Sequence, residues 1–155
     1  MTMPFTHRFE VGWGDLDFNG HMRNTAYLDL AATVRMMFFR SCGFEMREFE
    51  RLRFGPVVLK DEVEYFRELR LLQPVIVGIE LAGLNADGSR FSIRNGFLTE
   101  EGKLVAKVTS TGGWMDLEAR RLALPPEPLR QVLESLSRAE DFAEIVPAAK
   151  DPAGS

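Results

Sequence analysis

Residues 23–43, "RNTAYLDLAATVRMMFFRSCG", are the one long stretch of this chain with helical periodicity. Tyr27, Ala31, Val34 and Phe38 fall on one side, with Leu28, Leu30 and Met37 beside them. Asp29, Thr33 and Arg40 fall on the other. The spacing predicts an amphipathic helix of about five turns. Asn24 suits its N-cap and Gly43 its stop. Most of the remaining chain reads as strand. One long helix among strands has to bury its apolar stripe against a sheet. The expected class is therefore α+β, with an antiparallel sheet curved around a single long helix.

The strand signals follow in order. "HRFEVGW" alternates, with Phe9, Val11 and Trp13 facing one way. "FEMREFERLRF" reads as a short helical turn or loop. From Gly55 onward Val57, Leu59, Val63 and Tyr65 oppose Lys60, Glu62 and Glu64. "VIVGIELAGL" is apolar on both faces, the pattern of a central strand. Asp87-Gly88 marks a hairpin into "RFSIRNGFL", and Glu101-Gly102 a turn into "KLVAKVTSTGGWMDL". Gly112-Gly113 inside that last strand predicts a bulge or a close backbone approach. "PLRQVLESLS" predicts a short C-terminal helix. The count is five strands, one long helix and one short one. Residues 1–140 form a single domain, and 141–155 are expected to be a disordered tail.

The chain has 155 residues, enough for one core that needs no staple. Its net charge of −4 lacks the basic surplus of a nucleic-acid binder. No apolar run approaches the roughly 20 residues of a membrane span. With one cysteine, Cys42, no internal disulfide can form, and no signal-peptide core precedes the first strand. The expected setting is the cytoplasm, without nucleic acid or membrane as partner. Cys42 reads as a small buried apolar residue.

Between the first strand and the long helix stands "GDLDFNGHMRN", residues 14–24. Asp15, Asp17, Asn19 and Gly20 spell the opening of an EF-hand loop. Counted from Asp15, the ninth residue is Arg23 and the twelfth Ala26, where calcium needs a ligand and a bidentate glutamate. A strand, not a helix, precedes the loop. A transition-metal set of Asp15, Asp17 and His21 has no H-x-x-x-H or C-x-x-C spacing behind it. No metal is expected.

The stretch suits a different chemistry. It ends at a helix N-terminus, where free N–H groups and a partial positive charge can hold a developing oxyanion. Gly20 lets backbone approach a ligand without a Cβ in the way. Asp17, three residues upstream, can attack a carbonyl or activate water. Asp15 reads as a turn residue. No G-x-S-x-G elbow occurs, and Cys42 lies at the far end of the helix. Arg35 and Arg67 could meet phosphates, although ion pairing or solvent is an arginine's default.

"VGWGDLDFNGHMRNTAYLDLAATVR" resembles the strand-loop-helix signature of the hotdog-fold acyl-CoA thioesterases, the 4-hydroxybenzoyl-CoA thioesterase-like family. The shared pattern is Asp15, Asp17, Gly20, His21, Asn24 and Tyr27, and the likeness continues to about Asp116. The resemblance implies a five-stranded antiparallel sheet wrapped around the long helix. It implies a homodimer with joined sheets, dimers often pairing into tetramers, and a site at the subunit interface. The substrate would be an acyl-CoA, with coenzyme A as part of the substrate and no separate cofactor. Asp17 falls on the family's catalytic carboxylate. Gly20, His21, Asn24 and Tyr27 would contact substrate, and the amides near Met22 to Asn24 would polarise the thioester carbonyl. Other branches of the fold take the carboxylate from mid-helix; here that is Asp29, on the outer side. Two other readings stay open. A hotdog hydratase pairs an aspartate with a histidine five residues on, against four from Asp17 to His21. A non-catalytic acyl-CoA-binding protein would not need Asp17.

Overall fold

A computed structural model describes residues 5–146. Strand β1 spans Phe5–Glu10, and a 3-10 turn at Trp13–Asp15 leads into the motif loop. Helix α1 spans Asn24–Ser41, and α2 spans Met46–Leu52. Strands β2 (Phe54–Tyr65), β3 (Pro74–Leu84), β4 (Arg90–Leu98) and β5 (Leu104–Asp116) follow. The chain closes with β6 (Arg121–Ala123), α3 (Glu127–Glu134) and β7 (Arg138–Glu144).

The main sheet runs β1-β3-β4-β5-β2, with every pair antiparallel. Helix α1 lays Ala26, Tyr27, Ala31, Val34, Phe38 and Phe39 against it, the stripe its periodicity implies. Asp29, Thr33 and Arg40 are exposed. One cluster joins this stripe to Val75, Val77, Ile93, Phe97 and Val108 from the strands. Trp114 anchors one end of it. Its ring meets Phe91 at 5.3 Å, Phe54 at 6.0 Å and Phe39 at 6.2 Å, and its indole N–H donates to the Gly88 carbonyl at 3.1 Å. Burying an indole with its one donor satisfied combines a large apolar area with no unpaired polar group.

Several expectations are corrected. The sheet has seven strands, not five. β6 is a three-residue extension paired to the end of β5, and β7 pairs in parallel with β3. "RAEDFAE" of β7 is mostly exposed, so it lacks the apolar alternation that would announce it. β7 also carries ordered chain through Glu144, past the boundary set at 140; residues 147–155 of the expected tail lie outside the described residues. β1 stops at Glu10 and Trp13 is 81% exposed, because the 3-10 turn breaks the alternation beyond Val11. Arg23, not Asn24, is the N-cap of α1, with no side-chain cap bond, and Asn24 is the first helical residue. Gly43, at φ 91°, ends the helix as expected, but Cys42 is exposed.

The paired glycines of β5 do mark a close approach. Any Cβ on Gly112 would collide with the Val57 carbonyl. Opposite them β2 carries a bulge. Val58 pairs with Gly112, yet Lys60 pairs with Thr111 and Asp61 with Ser110, leaving Leu59 extra. The side of β2 shared with Trp114, Ser110 and Val108 of β5 therefore carries Pro56 and Val58 before the bulge, and Asp61, Val63 and Tyr65 after it; of these only Val63 is half-buried. This replaces the continuous Val57–Leu59–Val63–Tyr65 face that alternation alone implies.

Candidate active site at the start of the long helix

The loop between the 3-10 turn and α1 is closed by its own backbone. Asp17 N–H donates to the His21 carbonyl at 2.7 Å, and Gly20 N–H to the Asp17 carbonyl at 3.1 Å. Gly20 sits at φ 76°, which L side chains rarely adopt, so glycine serves the turn here. A Cβ on it would meet no protein atom within 4 Å. Leu16 and Met22 form a β-bridge across the loop, and His21 bridges to Arg70.

Asp17 is exposed and faces its own loop with one oxygen only. Its Oδ1 accepts the N–H of Asn19 at 2.8 Å and of His21 at 3.1 Å. Among the described residues Oδ2 has no protein partner. Asp15 does structural work, as its place in the turn suggests: its carboxylate accepts the Gly12 N–H at 3.2 Å and its carbonyl the Arg23 N–H at 2.7 Å. Asp29 is exposed and lies 3.8 Å from the Arg23 guanidinium.

The helix-start amides divide sharply. Met22 N–H is spent on the Leu69 carbonyl at 2.8 Å, and its side chain is in the core. Arg23 N–H is spent on Asp15, and Ala26 N–H returns to the Arg23 carbonyl at 3.0 Å. Met22 is thereby corrected as a donor to substrate. Asn24 and Thr25 are left with free N–H groups among the described residues, at the positive end of an 18-residue helix.

Around this terminus stand two tyrosines. Tyr27 is buried and packs edge-on against Tyr65 at 5.3 Å and Phe97 at 5.2 Å. The Tyr65 hydroxyl donates to the Asn24 carbonyl at 3.3 Å. His21 Nε2 lies 3.1 Å from a Glu68 carboxylate oxygen. Burial, and then the charges of Tyr65, Asp17 and Glu68, push the Tyr27 phenol from 10.0 up to about 12. The unfolded chain then loses this proton first as pH rises. Tyr27 should support stability fully below pH 10, and that support should fade as pH climbs toward 12. Ultraviolet titration of tyrosinate alongside denaturant midpoints would test this; a Tyr65→Phe protein whose remaining tyrosine ionises near 10 would refute it.

Asp17, Gly20, His21, Asn24 and Tyr27 are thus gathered at one place, while Met22 belongs to the wall behind it. Tyr65, Glu68 and the Thr25 amide were not picked out by the motif. Tyr65 had a signal in its inward-facing alternation. Glu68 had none, since its contact with His21 depends on how the loop after β2 returns to the motif. Among the described residues no three His, Cys, Asp or Glu side chains are placed to hold a metal, and no helix is long and apolar enough to cross a membrane.

Comparison with solved structures places this arrangement among similar folds. A hypothetical protein of Staphylococcus aureus, solved in complex with CoA, is 20% identical with a TM-score of 0.78, over 96% of this chain and 98% of its own. A 1,4-dihydroxy-2-naphthoyl-CoA thioesterase from Synechocystis is 16% identical with a TM-score of 0.75, over 84% and 96%. A putative oleoyl thioesterase from Lactobacillus plantarum is 14% identical with a TM-score of 0.80, over 99% of this chain and 57% of its own. At such identities the likeness speaks for the fold. A comparison with curated proteins gives no match. The sequence profile of the thioesterase-like superfamily matches residues 11–133, which takes in the motif loop, α1 and the whole main sheet after β1. By that match the chain belongs to the thioesterase-like superfamily of hotdog-fold proteins.

Proposed function

We propose that this protein hydrolyses an acyl-CoA thioester to the free acid and coenzyme A, with its chemistry at the start of α1. The observation that carries the reading is the pairing of a half-free carboxylate, Asp17, with the two unspent amides of Asn24 and Thr25. The thioester carbonyl oxygen would sit on those amides, which bind it more tightly as negative charge develops. Asp17 Oδ2 would take a proton from water as the water oxygen bonds to the carbonyl carbon. Collapse of the tetrahedral adduct breaks the C–S bond, and the departing thiolate takes up a proton. Direct attack by Asp17 would use the same oxygen and give a mixed anhydride that water then opens. His21, held by Glu68, would shape the loop and contact substrate with Gly20 and Tyr27.

Family membership supports the reaction class, and the CoA-bound and CoA-thioesterase neighbours support coenzyme A as the carrier. No further cofactor takes part. The protein would act as a homodimer that can pair into a tetramer, in the cytoplasm. Supporting the dimer is β2: among the described residues it bonds to β5 along one edge only, and Val58 and Leu59 are exposed. Sedimentation at micromolar protein should give twice or four times the monomer mass; a monomer would remove the dimer from the proposal.

The test of the reaction is thiol release from a panel of acyl-CoA thioesters. Turnover on at least one acyl group is expected. Tight binding of acyl-CoA with no thiol released would leave a binding protein instead.

A further inference from the structure

Two facing glycines stand inside strands without a reason for them in this chain. The register set by Ile76–Leu98 and Glu80–Arg94 puts Gly78 of β3 opposite Gly96 of β4. Neither has a positive φ. A Cβ on Gly96 would meet no protein atom within 4 Å. One on Gly78 would make only ordinary contacts, with Thr6 Cγ2 at 3.6 Å and the Phe5 carbonyl at 3.7 Å. Gly112 differs, since the Val57 carbonyl forbids a Cβ there. Glycine inside a strand costs stability, and where no turn or clash demands it, it marks the close approach of a group from outside.

Asn95 and Phe97 are buried, so alternation turns Arg94, Gly96 and Leu98 to the sheet face away from α1. A cavity of about 330 Å³ lies on that face over the glycine pair. Leu98 and Leu104 give it an apolar wall, while Glu80, Arg94 and Lys107 supply charge. Arg94 donates Nε–H to Thr109 at 3.1 Å and one Nη1–H to Asp141 at 2.6 Å, which leaves both Nη2 hydrogens unspent among the described residues. Glu80 and Lys107 have no hydrogen-bond or ion-pair partner among the described residues. Glu80 stands across from Arg94, and Lys107 across from Gly96. The groove thus has an unpaired carboxylate at its β3 side, an unpaired ammonium at its β5 side and bare backbone between. Glu80 can only accept and Lys107 can only donate. An ammonium on the first and a carboxylate on the second complete both, with the Arg94 fork beside the carboxylate. An α-amino acid carries the two charges in one head group. A flat aromatic side chain on it would cover the glycine backbone and rest against the two leucines, as aromatic side chains do over glycines in sheets.

We propose that this outer-face groove binds an aromatic α-amino acid, its ring on Gly78 and Gly96 and its charges on Glu80 and Lys107. The probes are L-phenylalanine, 3-phenylpropionate, which lacks the ammonium, and phenethylamine, which lacks the carboxylate. Calorimetry would read affinity, and the amide resonances of Gly78 and Gly96 in glycine-labelled protein would report the place. L-phenylalanine should bind and shift both glycines, and each single-charge probe should bind at least about tenfold weaker, the weight of one charge-assisted bond. Lys107→Met and Glu80→Gln should each weaken L-phenylalanine by a similar factor. Gly96→Val should lose the ligand while melting at or above the wild type, because it fills the groove with a strand-forming side chain. No binding of L-phenylalanine, equal affinity for the three probes, no shift at the glycines, or unchanged binding in the variants would each overturn the assignment. So would a Gly96→Val protein that melts well below the wild type, since the chain itself would then need the glycine. A Gly96→Val protein of smaller sedimenting mass, with L-phenylalanine binding to neither form, would overturn it in favour of a second copy of this chain on the groove.

Discussion

Asp17→Asn should leave the fold intact and cost about 10²–10⁴-fold in thiol release, the usual contribution of a positioned acid or base. The loop tolerates the change because Asp17 holds it through Oδ1, which accepts from Asn19 and His21. An asparagine oxygen can accept the same two bonds. What changes is the other atom, where a proton acceptor becomes an amide donor. The measurement is steady-state hydrolysis with melting curves beside it. A folded Asp17→Asn protein that keeps wild-type turnover would take the reaction away from this carboxylate. A loss in kcat at constant KM would place the effect in the chemical step.

Asn24→Pro should slow the reaction by about 10²–10³-fold, the cost of one oxyanion donor, with little change in melting temperature. Proline is well suited to the first helical position, since its missing N–H has no partner inside the helix there. The residue before it must be extended, and Arg23 already stands at φ −69° and ψ 151°. The Asn24 carbonyl still accepts from Tyr65. The substitution therefore deletes one N–H together with a side-chain amide that makes no hydrogen bond to protein among the described residues. Unchanged kcat in a folded Asn24→Pro protein would mean that the oxyanion is held elsewhere. Together the two variants separate a fault in the base from a fault in the oxyanion site, which share one loop.

The frame of this fold was legible because its signals are local. The stripe on α1, the turns at Gly88 and Gly102, and the paired glycines of β5 each follow from a few neighbouring residues, and all are found in place. The misses have a common cause in tertiary choice. Leu59 alternates as well as its neighbours do, and nothing in its vicinity says that it will be the extra residue. β7 forms because β3 offers it an edge, not because "RAEDFAE" asks to be a strand. At the candidate site the motif pointed to one loop and one helix end, and the structure sets the two next to each other. It could not say which amides would be free, since Met22 is spent on Leu69, 47 positions away, and Arg23 on the carbonyl of a residue eight positions back. The cap went to Arg23 because that amide bond ties the residue into the loop and leaves Asn24 to begin the helix.

The bulged edge of β2 also bears on how the protein behaves when concentrated. A long, flat strand with an open edge is a template for unlimited sheet growth. β2 runs twelve residues, yet it is not flat, and Lys60, Asp61, Glu62 and Glu64 follow directly after the kink. An incoming strand in an arbitrary register would meet both the kink and a cluster of carboxylates. Such an edge accepts a partner shaped to it and turns others away. Preparations of this protein should therefore stay clear at concentrations where smooth-edged sheets of similar length form fibres.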